Sequence, residues 1–326
     1  MTVTSILHNE ISAAQDVLSN IIVDTPTLPL SSNRWQNVLP DIKGGAIKLE
    51  LFQQVGSFKA RGAYLGIEGL SDEARKAGVV AASGGNHALA VAWAAQKAGV
   101  SAKIAIPKAA DPVRIKGCRD MGADVVLCDD IAHAFETMEQ YVTQDGLTML
   151  HPFEGRHMTV GAATCGAEFI AKHPDLEFVI VPVGGGGLIS GIAAAVKLAK
   201  PETKVIGVEP FGADTMYRSF EQEEPVSINK VETIADSLGS PTTMPFSYSV
   251  AKSHVDEIVR VEDEELRNGM RIYQDVLGLL VEPACAASLA GAIGPLKNVI
   301  EGQNVGLIAC GSNISLSRYQ ELLGIG

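Results

Sequence analysis

The chain is 326 residues long, 46% hydrophobic and only 20% charged, and 26 Lys and Arg against 38 Asp and Glu leave a formal charge of −12. That apolar fraction supports a buried core and excludes a disordered chain, while a pI of about 5.1 offers nucleic acid or an anionic membrane no broad basic surface. At roughly 150 residues per domain, the length suggests two domains or one large α/β unit.

Cys118, Cys128, Cys165, Cys285 and Cys310 are scattered, with no CxxC pair; they form neither a zinc knuckle nor a disulfide framework. The first thirty residues carry acids early and lack a basic-then-apolar leader pattern, so a cytoplasmic protein without membrane contact is expected. Residues 178–196 run without a charge, long enough for a membrane span. Pro182 and four consecutive glycines interrupt them, and lipid offers no partners for the freed backbone. A strand, a glycine loop and a buried helix fit better.

In chain order, short apolar runs predict strands at 46–51, 79–82, 102–106, 125–128, 178–183, 204–208 and 305–309. Helical patterns fall at 58–70, 86–98, 131–143, 160–172, 188–198, 263–277, 284–293 and 315–323. Strands separated by single helices imply crossover connections and parallel sheets. The expectation is an α/β protein of two lobes, each an open, twisted, mostly parallel sheet covered by helices. Residues 53–152 would form the smaller lobe, and 1–52 with 153–326 the larger.

Three places share one design, in which a strand ends, glycines and small polar residues follow, and a helix begins. They are Ser83-Gly84-Gly85-Asn86, Gly184-Gly185-Gly186-Gly187 and Cys310-Gly311-Ser312-Asn313. Helix starts of this kind bind anions through free N–H groups and the macrodipole. The P-loop pattern is absent. The dinucleotide fingerprint fails in register, because its third glycine position is Ile189. Glu209, ending the next strand, sits where a ribose-binding acid belongs, so a nicotinamide-dependent oxidoreductase stands as one alternative.

Around Gly56-Ser57-Phe58-Lys59-Ala60-Arg61-Gly62-Ala63 a helix begins, with Ser57 as the expected N-cap and Lys59 in the first turn. A cation there opposes the helix dipole, which would depress the lysine pKa and favour the neutral amine that Schiff-base chemistry needs. This segment, with Ser83-Gly84-Gly85-Asn86-His87 and the four glycines before Leu188, resembles the threonine dehydratase and serine racemase family. Those are fold-type II pyridoxal phosphate enzymes, the tryptophan synthase β-like group, and the likeness runs over nearly the whole chain.

The resemblance implies that Lys59 forms the Schiff base with pyridoxal phosphate and removes the substrate α-proton. It implies a phosphate cradle of Gly184, Gly185, Gly186, Gly187 and Leu188, with Phe58 beside the ring and Asn86 on the ring hydroxyl. Ser83, Gly85, Asn86 and His87 would receive the substrate carboxylate. Cys310, with Ser312 as fallback, would face the pyridine nitrogen, and Glu282 would lie near the ring. A thiol cannot protonate that nitrogen as an acid would, leaving a milder electron sink suited to β-elimination. The implied reaction is dehydration of a small 3-hydroxy-L-amino acid, with threonine or serine as default, to a 2-oxo acid and ammonia. A homodimer is implied as well.

Departures from the family sharpen these expectations. Racemases of the group carry a serine where Gly84 stands, and glycine has no side chain to deliver a proton, so elimination is favoured over racemisation. The chain ends without room for the regulatory module of the biosynthetic threonine enzymes. Family members with Mg²⁺ or Ca²⁺ near the phosphate hold it at the positions of Glu209, Ala213 and Thr215, where an Asp usually occupies the third. In His151-Pro152-Phe153-Glu154-Gly155-Arg156-His157, Arg156 and His157 replace more neutral residues and would suit a second carboxylate, as in 3-hydroxyaspartate. A non-catalytic amino-acid-binding module is the remaining alternative.

Overall fold

A computed structural model describes residues 5–325. In chain order its strands are β1 (Thr27–Pro29), β2 (Gly44–Leu49), β3 (Val79–Ala82), β4 (Ala102–Pro107), β5 (Asp124–Cys128), β6 (Thr148–Met149), β7 (Phe178–Pro182), β8 (Lys204–Pro210), β9 (Glu257–Val261) and β10 (Asn304–Ala309). One sheet has the order β1-β2-β10-β7-β8-β9 and the other β5-β4-β3-β6. All pairs are parallel except β1 with β2. The α/β architecture of two mostly parallel sheets is the one expected. The smaller sheet takes its strands from between residues 79 and 149, and the larger from both flanks.

All seven expected strands form. β1, β6 and β9 were not anticipated: the first two are three and two residues long, and β9 is an edge strand whose Glu257 and Arg260 interrupt its apolar run. The uncharged stretch 178–196 resolves into β7, a glycine turn and the helix Gly187–Ala199. Among the described residues no helix is long and apolar enough to cross a membrane.

The helix Lys59–Glu68 sits where the two lobes meet. A Cβ on Gly62 would come within 2.8 Å of the Met158 backbone, and one on Gly161 within 2.5 Å of the Gly62 nitrogen. Only glycines allow this helix to lie so close to the helix Arg156–Lys172. Its first turn is clamped by charge. Buried Arg61 donates to both Glu50 oxygens at 2.8 Å and to Glu168 at 2.7 and 2.8 Å, and Lys48 reaches Glu168 at 2.8 Å. Bidentate, charge-assisted pairs of this kind fix geometry as well as energy, and they hold the backbone two residues from Lys59.

Candidate active site

The helices Lys59–Glu68, Asn86–Ala98 and Gly187–Ala199 begin at Phe58, Gly85 and Gly186, none of which makes a side-chain cap. Helix starts left open in this way carry unpaired N–H groups. The three starts belong to one place. Asn86 Nδ2 lies 3.1 Å from the point where Gly311 would carry a Cβ, and Ser57 pairs with Gly311 in an isolated bridge. Lys59 Nζ donates to the carbonyl of Pro152, and the next residue, Phe153, lies against the glycine loop.

That loop needs its glycines for packing as well as for ligand approach. A Cβ on Gly185 would sit 2.2 Å from the Phe153 ring, one on Gly187 2.7 Å from the Phe153 carbonyl oxygen, and one on Gly184 3.0 Å from Leu238. Gly186 has φ +92°, and a Cβ there would strike Met216 at 2.4 Å. Phe153 is in turn fixed by Ser247 Oγ, which donates to its carbonyl at 3.1 Å. Glu154 caps the helix Pro245–His254, accepting from Phe246 N at 2.8 Å and Ser247 N at 3.0 Å.

Lys59 is the first residue of its helix, and burial lowers its pKa to about 8, with Cys310 and Glu282 opposing that shift. Desolvation, rather than the helix dipole anticipated from sequence, is the leading cause. Ser57 is not the N-cap: Phe58 takes that position, and Ser57 Oγ is buried without a partner. His87 Nδ1 is likewise unpartnered, while Nε2 lies 2.8 Å from the Leu150 oxygen. Burial and the nearby Lys59 charge hold His87 neutral. Burial also keeps the Cys310 thiol protonated, well above its ordinary range. Ser312 donates its N–H to the Gly56 carbonyl at 3.0 Å.

Asn86 is held on both sides, with Nδ2 donating to Glu282 Oε1 at 2.6 Å and Oδ1 accepting from Asn313 Nδ2 at 2.7 Å. Arg114 is a site residue that sequence reasoning missed. Buried on the helix Pro112–Asp120, it donates to Glu282 Oε2 at 3.0 Å, Asp236 Oδ2 at 2.5 Å and the Gly84 carbonyl at 3.1 Å. Its partners lie up to 199 residues away, so no local pattern marks it. Ser237 Oγ adds a bond to Glu282 Oε2 at 3.1 Å. In the loop after β3, Gly85 N donates to Ser83 Oγ at 3.1 Å.

Aromatic side chains flank Pro152, the residue whose carbonyl accepts from Lys59 Nζ. The Phe135 and His151 rings are 5.8 Å apart, and those of His151 and Phe153 meet edge-on at 4.6 Å. His151 Nδ1 accepts from Glu154 N at 3.0 Å, and burial pushes its pKa down to about 4. The imidazole is therefore a neutral ring at neutral pH.

Two expected placements change. Arg156 is engaged by Glu10 of the helix His8–Leu18, with Nε and Nη2 each 2.6 Å from a carboxylate oxygen. Its guanidinium ties down that helix and is not offered to a second substrate carboxylate. Burial keeps His157 neutral too. Glu209 is fully buried, and its oxygens accept from Met216 N at 3.0 Å and Tyr217 N at 2.7 Å. It caps the helix Thr215–Gln222 and is closed to a ribose.

An uncapped glycine loop for a phosphate, a lysine of lowered pKa and unpartnered polar atoms at Ser57 and His87 together fit pyridoxal phosphate. Residues 19–311 match the profile of the family described as pyridoxal-phosphate dependent enzyme. The chain belongs to that family, and its lobes have the fold-type II architecture. It is an enzyme whose cofactor is pyridoxal phosphate, which sets aside the nicotinamide alternative.

Among its relatives is a phenylserine dehydratase of Ralstonia pickettii, 42% identical over 93% of this chain and 99% of that protein. An L-threonine ammonia-lyase of Thermotoga maritima is 36% identical over 97% of this chain and 78% of its own length. The structure of maize serine racemase superposes with a TM-score of 0.90 at 30% identity, covering 96% of this chain and 95% of that one.

Proposed function

We propose that the chain is a pyridoxal phosphate-dependent dehydratase, an ammonia-lyase that removes water from a 3-hydroxy-L-amino acid whose β-substituent is aromatic, as in 3-phenylserine. The products are a 2-oxo acid and ammonia. The observation that carries the substrate choice is the 42% identity with the phenylserine dehydratase, supported by His151 and Phe153, whose rings meet edge-on at 4.6 Å on either side of Pro152, the residue whose carbonyl accepts from Lys59 Nζ. Aromatic pairs of this geometry contribute about 0.5–1.5 kcal/mol beyond area burial. Engagement of Arg156 by Glu10 speaks against 3-hydroxyaspartate, and the phenylserine dehydratase relative supports the aromatic reading.

When bound, the cofactor supplies the electron sink for the carbanion at Cα. Lys59 Nζ takes the α-proton, for which a pKa near 8 suits a base working close to neutrality. The N–H groups from Gly184 to Leu188 hold the phosphate. Ser83, Gly85, Asn86 and His87 orient the substrate carboxylate. Cys310, a neutral thiol, would face the pyridine nitrogen, and Phe58 would flank the ring. Gly84 provides no acid on the opposite face, which favours elimination over racemisation. A division into lobes at 53 and 152, a homodimer and a cytoplasmic setting complete the reading. They rest on the family likeness and on five free, buried thiols.

Two measurements test it. Borohydride reduction of the holoenzyme followed by peptide mapping should place a pyridoxyl group on Lys59. Release of 2-oxo acid should then be compared for L-threo-3-phenylserine, L-threonine, L-serine and L-threo-3-hydroxyaspartate. Phenylserine should give the highest kcat/KM. A tenfold preference for threonine or hydroxyaspartate would overturn the aromatic assignment, roughly 1.4 kcal/mol in the other direction. No turnover of any of the four would favour the binding-module alternative.

A further inference from the structure

Arg260 packs on the turn that carries Glu209, Ala213 and Thr215, the three positions the family pattern nominates for a metal. Glu209 on β8 and Arg260 on β9 are register neighbours in a parallel pair, so both side chains rise from the same face of the sheet. The Arg260 guanidinium carbon lies 3.8 Å from the Tyr217 ring centroid and 4.5 Å from that of Phe211. Its Nη1 donates to Asp214 Oδ2 at 2.9 Å, and the other Asp214 oxygen accepts from Arg218 at 2.7 Å.

A hard divalent cation needs about six or more oxygen ligands, usually with carboxylates among them. Here both Glu209 oxygens accept backbone N–H bonds, and Asp214 is turned to two arginines. Only the Ala213 carbonyl and the buried, unpartnered Thr215 hydroxyl remain. Among the described residues no three His, Cys, Asp or Glu side chains gather around a common point. These residues do not fit the Mg²⁺ or Ca²⁺ considered from the family pattern.

We infer that Arg260 is a built-in cation that does the organising work of a metal in this chain. It holds the turn from Phe211 to Tyr217 through Asp214 and the two rings. Tyr217 and Met216 give their N–H groups to Glu209, and the Met216 methyl lies under Gly186. The guanidinium thus supports the loop that receives the cofactor phosphate, without touching the substrate. It is a positioning residue, and the chain holds its cofactor without a divalent metal.

The test uses the holoenzyme and two variants, Arg260→Met and Arg260→Lys. Dialysis of wild type against EDTA should leave its metal content near zero, with its melting temperature and cofactor absorbance unchanged, and added Mg²⁺ or Ca²⁺ should alter neither. Arg260→Met should raise the Kd for pyridoxal phosphate about tenfold while kcat of the saturated enzyme stays the same, and Arg260→Lys should recover most of the loss. A stoichiometric divalent ion in wild type, or a melting temperature that falls with EDTA and returns with Mg²⁺, would overturn the inference. So would an Arg260→Met protein that binds the cofactor like wild type. If Arg260→Met does not fold, the EDTA arm and Arg260→Lys still decide the matter.

Discussion

Asn86 and Glu282 are 196 residues apart in sequence, yet the Asn86 amide donates to Glu282 Oε1 at 2.6 Å. Asn86 opens the helix that follows β3 of the smaller sheet, and Glu282 is the N-cap of the helix Pro283–Ile293 beside the larger one. Arg114 holds the second Glu282 oxygen. Burial raises the Glu282 pKa and the Arg114 charge opposes it, so the carboxylate depends on that arginine. The contact that fixes the Asn86 amide therefore also joins the helix after β3 to the helix Pro283–Ile293.

Replacing Glu282 with alanine should remove both functions. Asn86 loses its acceptor, and Arg114 is left buried with only part of its pairing. Breaking a buried pair from one side costs about 3–5 kcal/mol; retention of Asp236 by Arg114 should bring the loss of unfolding free energy to about 2–3. Activity should fall at least about tenfold, mainly in kcat. Denaturant unfolding and steady-state kinetics check the two parts separately, and an unaltered kcat would detach Glu282 from the site.

Lys59 gives the cofactor-free protein a distinctive pH dependence. Its pKa is about 8 in the fold against 10.5 for the ordinary group. Below pH 8 both folded and unfolded chains carry the proton, and the folded state bears the full cost of a buried ammonium. Between pH 8 and 10.5 the unfolded chain binds more protons, so stability rises with pH by up to about 3 kcal/mol from this group alone. The difference in unfolding free energy between wild type and Lys59→Met should shrink over that window. A constant difference would show that the amine is not desolvated.

How far the sequence carries depends on where each element finds its partners. The helices Asn86–Ala98 and Asp263–Leu277 end where the sequence places them because each stops at a glycine in the left-handed region, Gly99 and Gly278. By contrast, the helices Thr215–Gln222 and Pro245–His254 are capped from a distance, by Glu209 and by Glu154. Their starts carry no cap of their own to read. The cofactor loop and Lys59 were legible because their glycines and lysine are contiguous. Arg114 was not, since tertiary packing brings its partners together from separate elements.

Gly185→Ala should show that the loop is set by Phe153. Its Cβ would overlap the ring at 2.2 Å, and no shift of a flexible side-chain end relieves that. Overpacking of this kind costs about 1–3 kcal/mol, drawn here from the loop proposed to hold the phosphate. Cofactor affinity should drop about ten- to a hundredfold, read from the visible absorbance on titration with pyridoxal phosphate. Pairing the change with Phe153→Leu should restore part of it.

Arg156→Ala should spare catalysis. The guanidinium is tied to Glu10 and to the Ser5 carbonyl, and its side chain is 38% exposed. An exposed pair contributes no more than about 1 kcal/mol, so a small drop in melting temperature is expected from loosening of the helix His8–Leu18. Rates on phenylserine and on 3-hydroxyaspartate should both stay within about twofold of wild type. A selective loss on hydroxyaspartate would return Arg156 to the substrate.

Gly84→Ser tests why this chain eliminates rather than racemises. A Cβ there finds its nearest neighbours in Pro107 at 3.6 Å and Ala110 at 3.7 Å, ordinary contact distances, and Gly84 is not among the positive-φ glycines. The variant should fold with stability within about 0.5 kcal/mol of wild type. Its hydroxyl would stand in the loop that the proposed function assigns to the substrate carboxylate, and on that reading it would return a proton to the face of the substrate opposite Lys59. Formation of D-serine from L-serine, followed by chiral chromatography, should then rise at least about tenfold over wild type, with elimination retained. A stable variant that yields no D-serine would mean that the missing hydroxyl is not what suppresses racemisation, and that the lobes themselves hold the opposite face closed to proton delivery.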